Sequence, residues 1–103
     1  MIVYNITIKV GWQIHEQWLA WMRGEHIPAM LATGQFDSCK LYRLMDQDET
    51  EGPTFVAQYA TTSIDRYEKY IIGFSQLLQA EGRSKWGDQF IAFRTLMSLL
   101  DAV

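Results

Sequence analysis

His26 is the side chain in this sequence best suited to do chemistry. An imidazole exchanges protons near neutral pH and bonds through either ring nitrogen. It follows Trp18 and Met22 at four-residue steps, so the three share a helix face, and Pro28 then removes a backbone donor and breaks that helix. At the open end of a sheet–helix cleft, such an imidazole acts as acid or base toward a bound compound. The structural alternative is that His26 satisfies a carbonyl freed by the break. Tyr4, Arg43, Tyr59 and Thr95 are the polar groups expected on otherwise apolar strand faces, with Trp21 as a flat wall beside them. A buried guanidinium demands an anion or several carbonyls. Together with His26, these groups would hold a small carboxylate or a phenol. The alternatives are that Arg43 lies near its strand end and pairs with an acid such as Asp46, and that Trp18, Trp21 and Met22 are core.

Other chemistries find no support. Asp46, Asp48, Glu49 and Glu51 lack the spacing and central glycine of a calcium loop, so they read as a solvated turn. His15 and His26 are eleven residues apart, roughly 16 Å along a helix, too far for one metal ion. Cys39 falls on an apolar strand face with no base near it in sequence and reads as an inert core thiol. There is no nucleotide-binding loop, nucleophile elbow, zinc-protease helix or paired-cysteine motif. No metal and no cofactor are therefore expected. Chemistry here would be cofactor-free, or would use a haem or flavin that leaves no linear motif.

The elements that must position these groups are legible as periodicities. Ile2, Tyr4, Ile6, Ile8 and Val10 alternate with polar or smaller residues, which is a strand. Ile14, Trp18, Trp21 and Met22 follow at helical spacing, with a kink or restart near residues 24–28 and a stop at Gly34. Residues 36–46 and Thr54–Ala60 read as an antiparallel hairpin around the polar turn 46–53. Thr61, Thr62 and Ser63 offer an N-cap, and Ile64, Tyr67, Ile71, Phe74 and Leu78 step like one continuous helix that ends near Gly82. Residues 83–89, Trp86 among them, read as a loop. Phe90–Leu99 is the last strand, with Ile91, Phe93, Thr95 and Met97 on its more apolar side.

This βαββαβ order predicts an α+β, ferredoxin-like domain over residues 1–103, with a four-stranded antiparallel sheet and two helices on one face. Ile6, Leu41, Phe55 and Phe93 are expected under the helices. The other face is expected to carry Asn5, Thr7, Lys9, Lys40, Tyr42, Gln58, Arg94, Phe90 and Leu96. That mixed face is either solvated or packed against its own copy.

The run Trp18-x-x-Trp21-Met22-x-x-x-His26-Ile-Pro28, the following Ala-Thr-Gly-x-Phe36, and Lys85-Trp-Gly-Asp-Gln-Phe-Ile-Ala-Phe-Arg-Thr95 carry a resemblance. They resemble a family of small, uncharacterised bacterial proteins within the dimeric α/β-barrel superfamily. The resemblance implies a homodimer whose two sheets close a barrel, and it implies no activity. More distantly, His26-x-Pro28 is similar to ring-degradation accessory proteins of that superfamily, which also holds cofactor-free monooxygenases, isomerases and haem enzymes.

Composition bounds the function classes. The chain has 103 residues, 49% of them hydrophobic and 20% charged, which suits one globular core. A net charge of −3 with scattered basic residues argues against nucleic acid as partner. No run is long and apolar enough for a membrane helix, and a strand beginning at Ile2 leaves no room for a secretory leader. A single cysteine fits a reducing cytoplasm. The leading expectation is a module that binds a small-molecule ligand between sheet and helices. The alternatives are a cofactor-independent enzyme, monooxygenase- or isomerase-like, on a small aromatic or carboxylate compound, and a homodimeric interaction protein without a ligand.

Overall fold

Strand β1 (Ile2–Val10) alternates as its sequence demands: Tyr4, Ile6, Ile8 and Val10 are buried, and the residues between them are half-exposed. A computed structural model describes residues 1–103. It sets β1 between β3 (Thr54–Thr61) and β4 (Phe90–Ser98), with β2 (Ser38–Arg43) beyond β3. All pairings are antiparallel. The helices cover one face of this sheet, so the architecture is the α+β, ferredoxin-like one. Phe36, expected to open the second strand, instead leaves it and stacks on Tyr4 at 5.9 Å in the core.

The first helical stretch is three pieces: α1 (His15–Trp21), a five-residue π turn (Met22–His26) and α2 (Ile27–Ala32). The cause lies in the sequence. Pro28 has no N–H to donate, so the ladder there cannot run with its usual i−4 step. The Ile27 N–H reaches back five residues to the Met22 carbonyl, which is the π register. Gly34 ends this stretch with a positive φ of 78°, as expected of a C-terminal stop.

The second helical stretch departs from the sequence reading. It breaks at Phe74 (φ −133°) into α3 (Ile64–Gly73) and α4 (Ser75–Trp86). Ser63 caps α3 by accepting the Arg66 N–H, and Ser75 Oγ donates to the Ile71 carbonyl at 2.7 Å across the break. The break interrupts the expected stripe, so Ile64, Ile71 and Phe74 are exposed, while Tyr70, Leu78 and Trp86 face inward. The helix also passes through Gly82 and stops at Gly87, whose φ is 63°. Trp86 is therefore a buried helix residue and not part of a loop.

The hairpin loop closes onto the end of β1. Val10 N–H donates to the Pro53 carbonyl at 3.0 Å. Gly52 adopts φ 153°, and a Cβ there would overlap the Val10 carbonyl, so only glycine fits.

The largest correction concerns β4. Its register against β1 sets Phe90 opposite Val10, Ala92 opposite Ile8, Arg94 opposite Ile6 and Leu96 opposite Tyr4. Directly opposed residues share a face. Phe90, Ala92, Arg94 and Leu96 thus point toward the helices, and Ile91, Phe93, Thr95 and Met97 point away. The face expected for this strand is inverted, because a one-residue shift in an alternating pattern flips every side chain.

Candidate functional site

A cavity of about 50 Å³ opens between the sheet and the helices. Its floor is apolar, from Ile6 and Ile8 of β1 and Phe90 and Ala92 of β4. Its roof is Trp18, Trp21, Met22 and His26 on one side and Leu78 and Gly82 of α4 on the other. Gly82 lies against the Trp21 ring, where a Cβ would make ordinary contact at 3.6 Å. The polar groups on the wall are His26, Tyr59, Tyr70, Gln79 and Arg94, with no aspartate or glutamate among them.

The π turn positions His26. In that wider turn, residues five apart come nearly into line. The His26 ring accordingly stacks on Trp21, with centres 4.6 Å apart and planes at 24°. Trp21 is held from behind by an edge contact with Trp86 at 5.9 Å. His26 Nδ1 is buried and has no hydrogen-bond partner in the chain. The bond to a carbonyl freed at the break, the structural alternative for this residue, is therefore not made. Burial, helped by the Arg94 charge, pushes the imidazole pKa down to about 4, so His26 is neutral at physiological pH.

Tyr59 ends in the same condition. Its hydroxyl is buried without a hydrogen-bond partner. Across the β2–β3 ladder stands Cys39, whose thiol is near enough to bear on that hydroxyl, yet a thiol is only a weak donor and acceptor and makes no well-formed hydrogen bond to it. Burial pushes the pKa of Tyr59 and of Tyr70 upward, so both stay protonated and able to donate. Four buried side-chain polar atoms lack a partner, Thr61 Oγ1 and Trp86 Nε1 besides these two, and of the four only those of His26 and Tyr59 belong to residues of the cavity wall.

Tyr4 is not on the cavity wall. It sits directly behind, packed against Phe36, Tyr59, Tyr67 and Tyr70, with the Tyr70 ring centre 5.7 Å away. Burial raises its pKa, and the Arg94 charge opposes that rise.

Two expected members are elsewhere. Arg43 is on the expected face of β2 but at its far end, half-exposed, where Nη2 pairs with Glu49 at 2.8 Å and the guanidinium lies over Trp12 at 5.9 Å. An acid of the hairpin loop holds it, as the alternative reading had it, though that acid is Glu49 and not Asp46. Thr95 is on the open face of the sheet, where the Asn5 amide donates to it at 3.3 Å. Its place is taken by Arg94, which the inverted register brings to the cavity. Of the expected set, the structure brings together His26, Trp21 and Tyr59.

Tyr70, Arg94 and Trp86 were missed. Trp86 had a signal, because Leu78, Gly82 and Trp86 continue at four-residue steps. Arg94 had one too: pairing the strand ends, Val10 with Phe90, leaves it on the inner face. No group of three His, Cys, Asp or Glu side chains lies close enough to hold a metal ion. No helix is long and apolar enough to cross a membrane.

The two segments that carried the family resemblance meet at this cavity, Trp18, Trp21, Met22 and His26 from one and Phe90, Ala92 and Arg94 from the other. Among solved structures, the chain is similar to a dimeric ferredoxin-like protein from an uncultured marine organism (TM-score 0.72, 8% identity, covering 99% of this chain and 97% of that one). It is also similar to an ethyl tert-butyl ether d (EthD) family protein from Bacillus halodurans (TM-score 0.66, 10% identity, 97% and 100% covered). A third likeness is to a candidate antibiotic biosynthesis monooxygenase from Deinococcus radiodurans (TM-score 0.58, 15% identity, 100% and 96% covered). At these identities the likeness is one of fold. A sequence search of curated proteins finds no match. A family profile covers residues 1–100, and by that match the chain belongs to DUF4286, a domain family of unknown function.

Proposed function

We propose that this protein is a homodimeric small-molecule binding module, with one ligand site per subunit in the cavity beside His26. The observation that carries this is the pair of orphaned buried groups, His26 Nδ1 and the Tyr59 hydroxyl, facing one mostly apolar cavity. Leaving such groups unpaired costs about 1–3 kcal/mol each, a cost that a bound compound or ordered water offsets. Ligand sites are typically apolar clefts with a few convergent polar groups. The test is a thermal-shift screen of small phenols, carboxylates and amides against native protein and His26→Leu. Binding that disappears in the variant supports the site. Binding unaffected by His26→Leu would place the ligand elsewhere.

The dimer would form through the open face of the sheet. Tyr42, Ile91, Phe93 and Met97 on that face are 48%, 54%, 62% and 41% exposed, which is much apolar surface for a solvated sheet. A two-fold axis would pack this face on itself. A solved relative in fold is named as dimeric. The single, half-buried thiol suits a reducing compartment such as the cytoplasm.

One observation favours a second reading, a cofactor-independent enzyme. Arg94 is among the causes that hold the His26 pKa down. A substrate whose negative charge offsets Arg94 would raise that pKa toward the range where an imidazole works as a base. Solved relatives in fold include candidate monooxygenases. Conversion of a bound compound on incubation, monitored by mass spectrometry, separates enzyme from binder.

A further inference from the structure

We infer that the ligand of this cleft is a small organic monoanion whose carboxylate pairs with Arg94 and accepts from the donors of the cavity wall. This rests on the cleft reading above and adds the class of ligand.

Three observations converge on an anion. The first is charge. Arg94 is the one formally charged residue on the cavity wall. The ion pairs of the molecule are Arg43–Glu49 and Arg66–Asp37, so no carboxylate neutralises Arg94. Arg94 is an exposed residue, so an incoming anion can reach it from solvent. A planar guanidinium matches a carboxylate through two parallel bonds.

The second is the sense of the hydrogen bonds on offer. The Tyr59 and Tyr70 hydroxyls stay protonated, the Gln79 amide has two N–H donors, and a neutral imidazole donates from Nδ1 in one tautomer. The wall is rich in donors and has no carboxylate acceptor. A ligand group made only of acceptors fits it, and a cation does not.

The third is size. A dry cavity of about 150 Å³ holds a benzene ring. At about 50 Å³, this cavity holds a head group and not a whole ring. A carboxylate fits, while the rest of a ring-sized molecule extends beyond the cavity. One arginine matches one negative charge, which argues against a phosphate dianion.

The experiment uses native protein at constant ionic strength with two matched pairs of probes, benzoate with benzamide and propionate with propionamide. Thermal shift and calorimetry report binding. We expect each carboxylate to bind at least about tenfold more tightly than its amide, a gap of about 1.4 kcal/mol. Arg94→Gln should bring that ratio close to one, and Arg94→Lys should keep part of it, since the charge stays and the two-pronged geometry goes. Circular dichroism checks that both variants fold. Amides that bind as tightly as their carboxylates would overturn the anion and leave the cleft standing. A carboxylate preference that survives in Arg94→Gln, or no binding of either carboxylate at millimolar concentration, would also overturn it. Ligands found only among the uncharged compounds of the broader screen would do so without touching the cleft reading.

Discussion

The His26 imidazole lies flat against the Trp21 indole, five residues earlier, with ring centres 4.6 Å apart. Neither residue would meet the other this way in a regular α-helix, where neighbours on one face are three or four apart. The π turn forced by Pro28 creates the contact, and it turns Nδ1 inward, where nothing in the chain reaches it.

That burial has a pH signature. The folded state holds the His26 pKa near 4, below the ordinary 6.5. Between those values the unfolded chain binds the proton and the folded chain does not. Stability from this group is therefore fully present above pH 6.5 and is lost as the pH falls toward 4. Nuclear magnetic resonance of the His26 ring should give a midpoint near 4 in the folded protein. A midpoint at the ordinary histidine value would mean the ring is solvated and the site is not as described.

Phe93 tests the open face. If Ile91, Phe93 and Met97 pack on a second copy, light scattering at micromolar concentration should show a dimer. Phe93→Asp should then yield folded monomer, because two carboxylates would meet near the two-fold axis without partners. A wild-type monomer under these conditions contradicts the sheet-to-sheet assembly.

Cys39 tests the register of β2. It faces inward opposite Tyr59, and burial pushes its thiol pKa up. Native protein should react slowly with a thiol reagent and denatured protein quickly. Rapid labelling of native protein would mean that β2 presents its other face.

The order of elements and the inner face of β1 were readable because both are carried by plain alternation and spacing. The broken helix was half readable: Pro28 announced an interruption, but nothing local distinguishes a π turn from a kink. The break at Phe74 was hidden, since Ile71, Phe74 and Leu78 fit a continuous stripe. β4 was misread for a more instructive reason. Both faces of Phe90–Leu99 are rich in apolar residues, and hydrophobicity favoured Phe93 and Ile91 inward. The ladder with β1 sets them outward, where a partner surface would cover them, and sends Arg94 in. Pattern reasoning assumes that the core of one chain is the main apolar destination, and a strand with two apolar faces violates that assumption. The same error misplaced Thr95 and hid the one cation of the site.

The most direct test of the account is the stability of His26→Leu measured beside its ligand binding. A half-buried imidazole whose buried Nδ1 has no partner contributes a desolvation cost that an apolar side chain of similar size does not. The account predicts that His26→Leu melts at the wild-type temperature or above it at pH 7, while binding of the compounds found by thermal shift falls at least about tenfold. A clearly lower melting temperature with binding intact would contradict it, because His26 would then be part of the scaffold and not of the site.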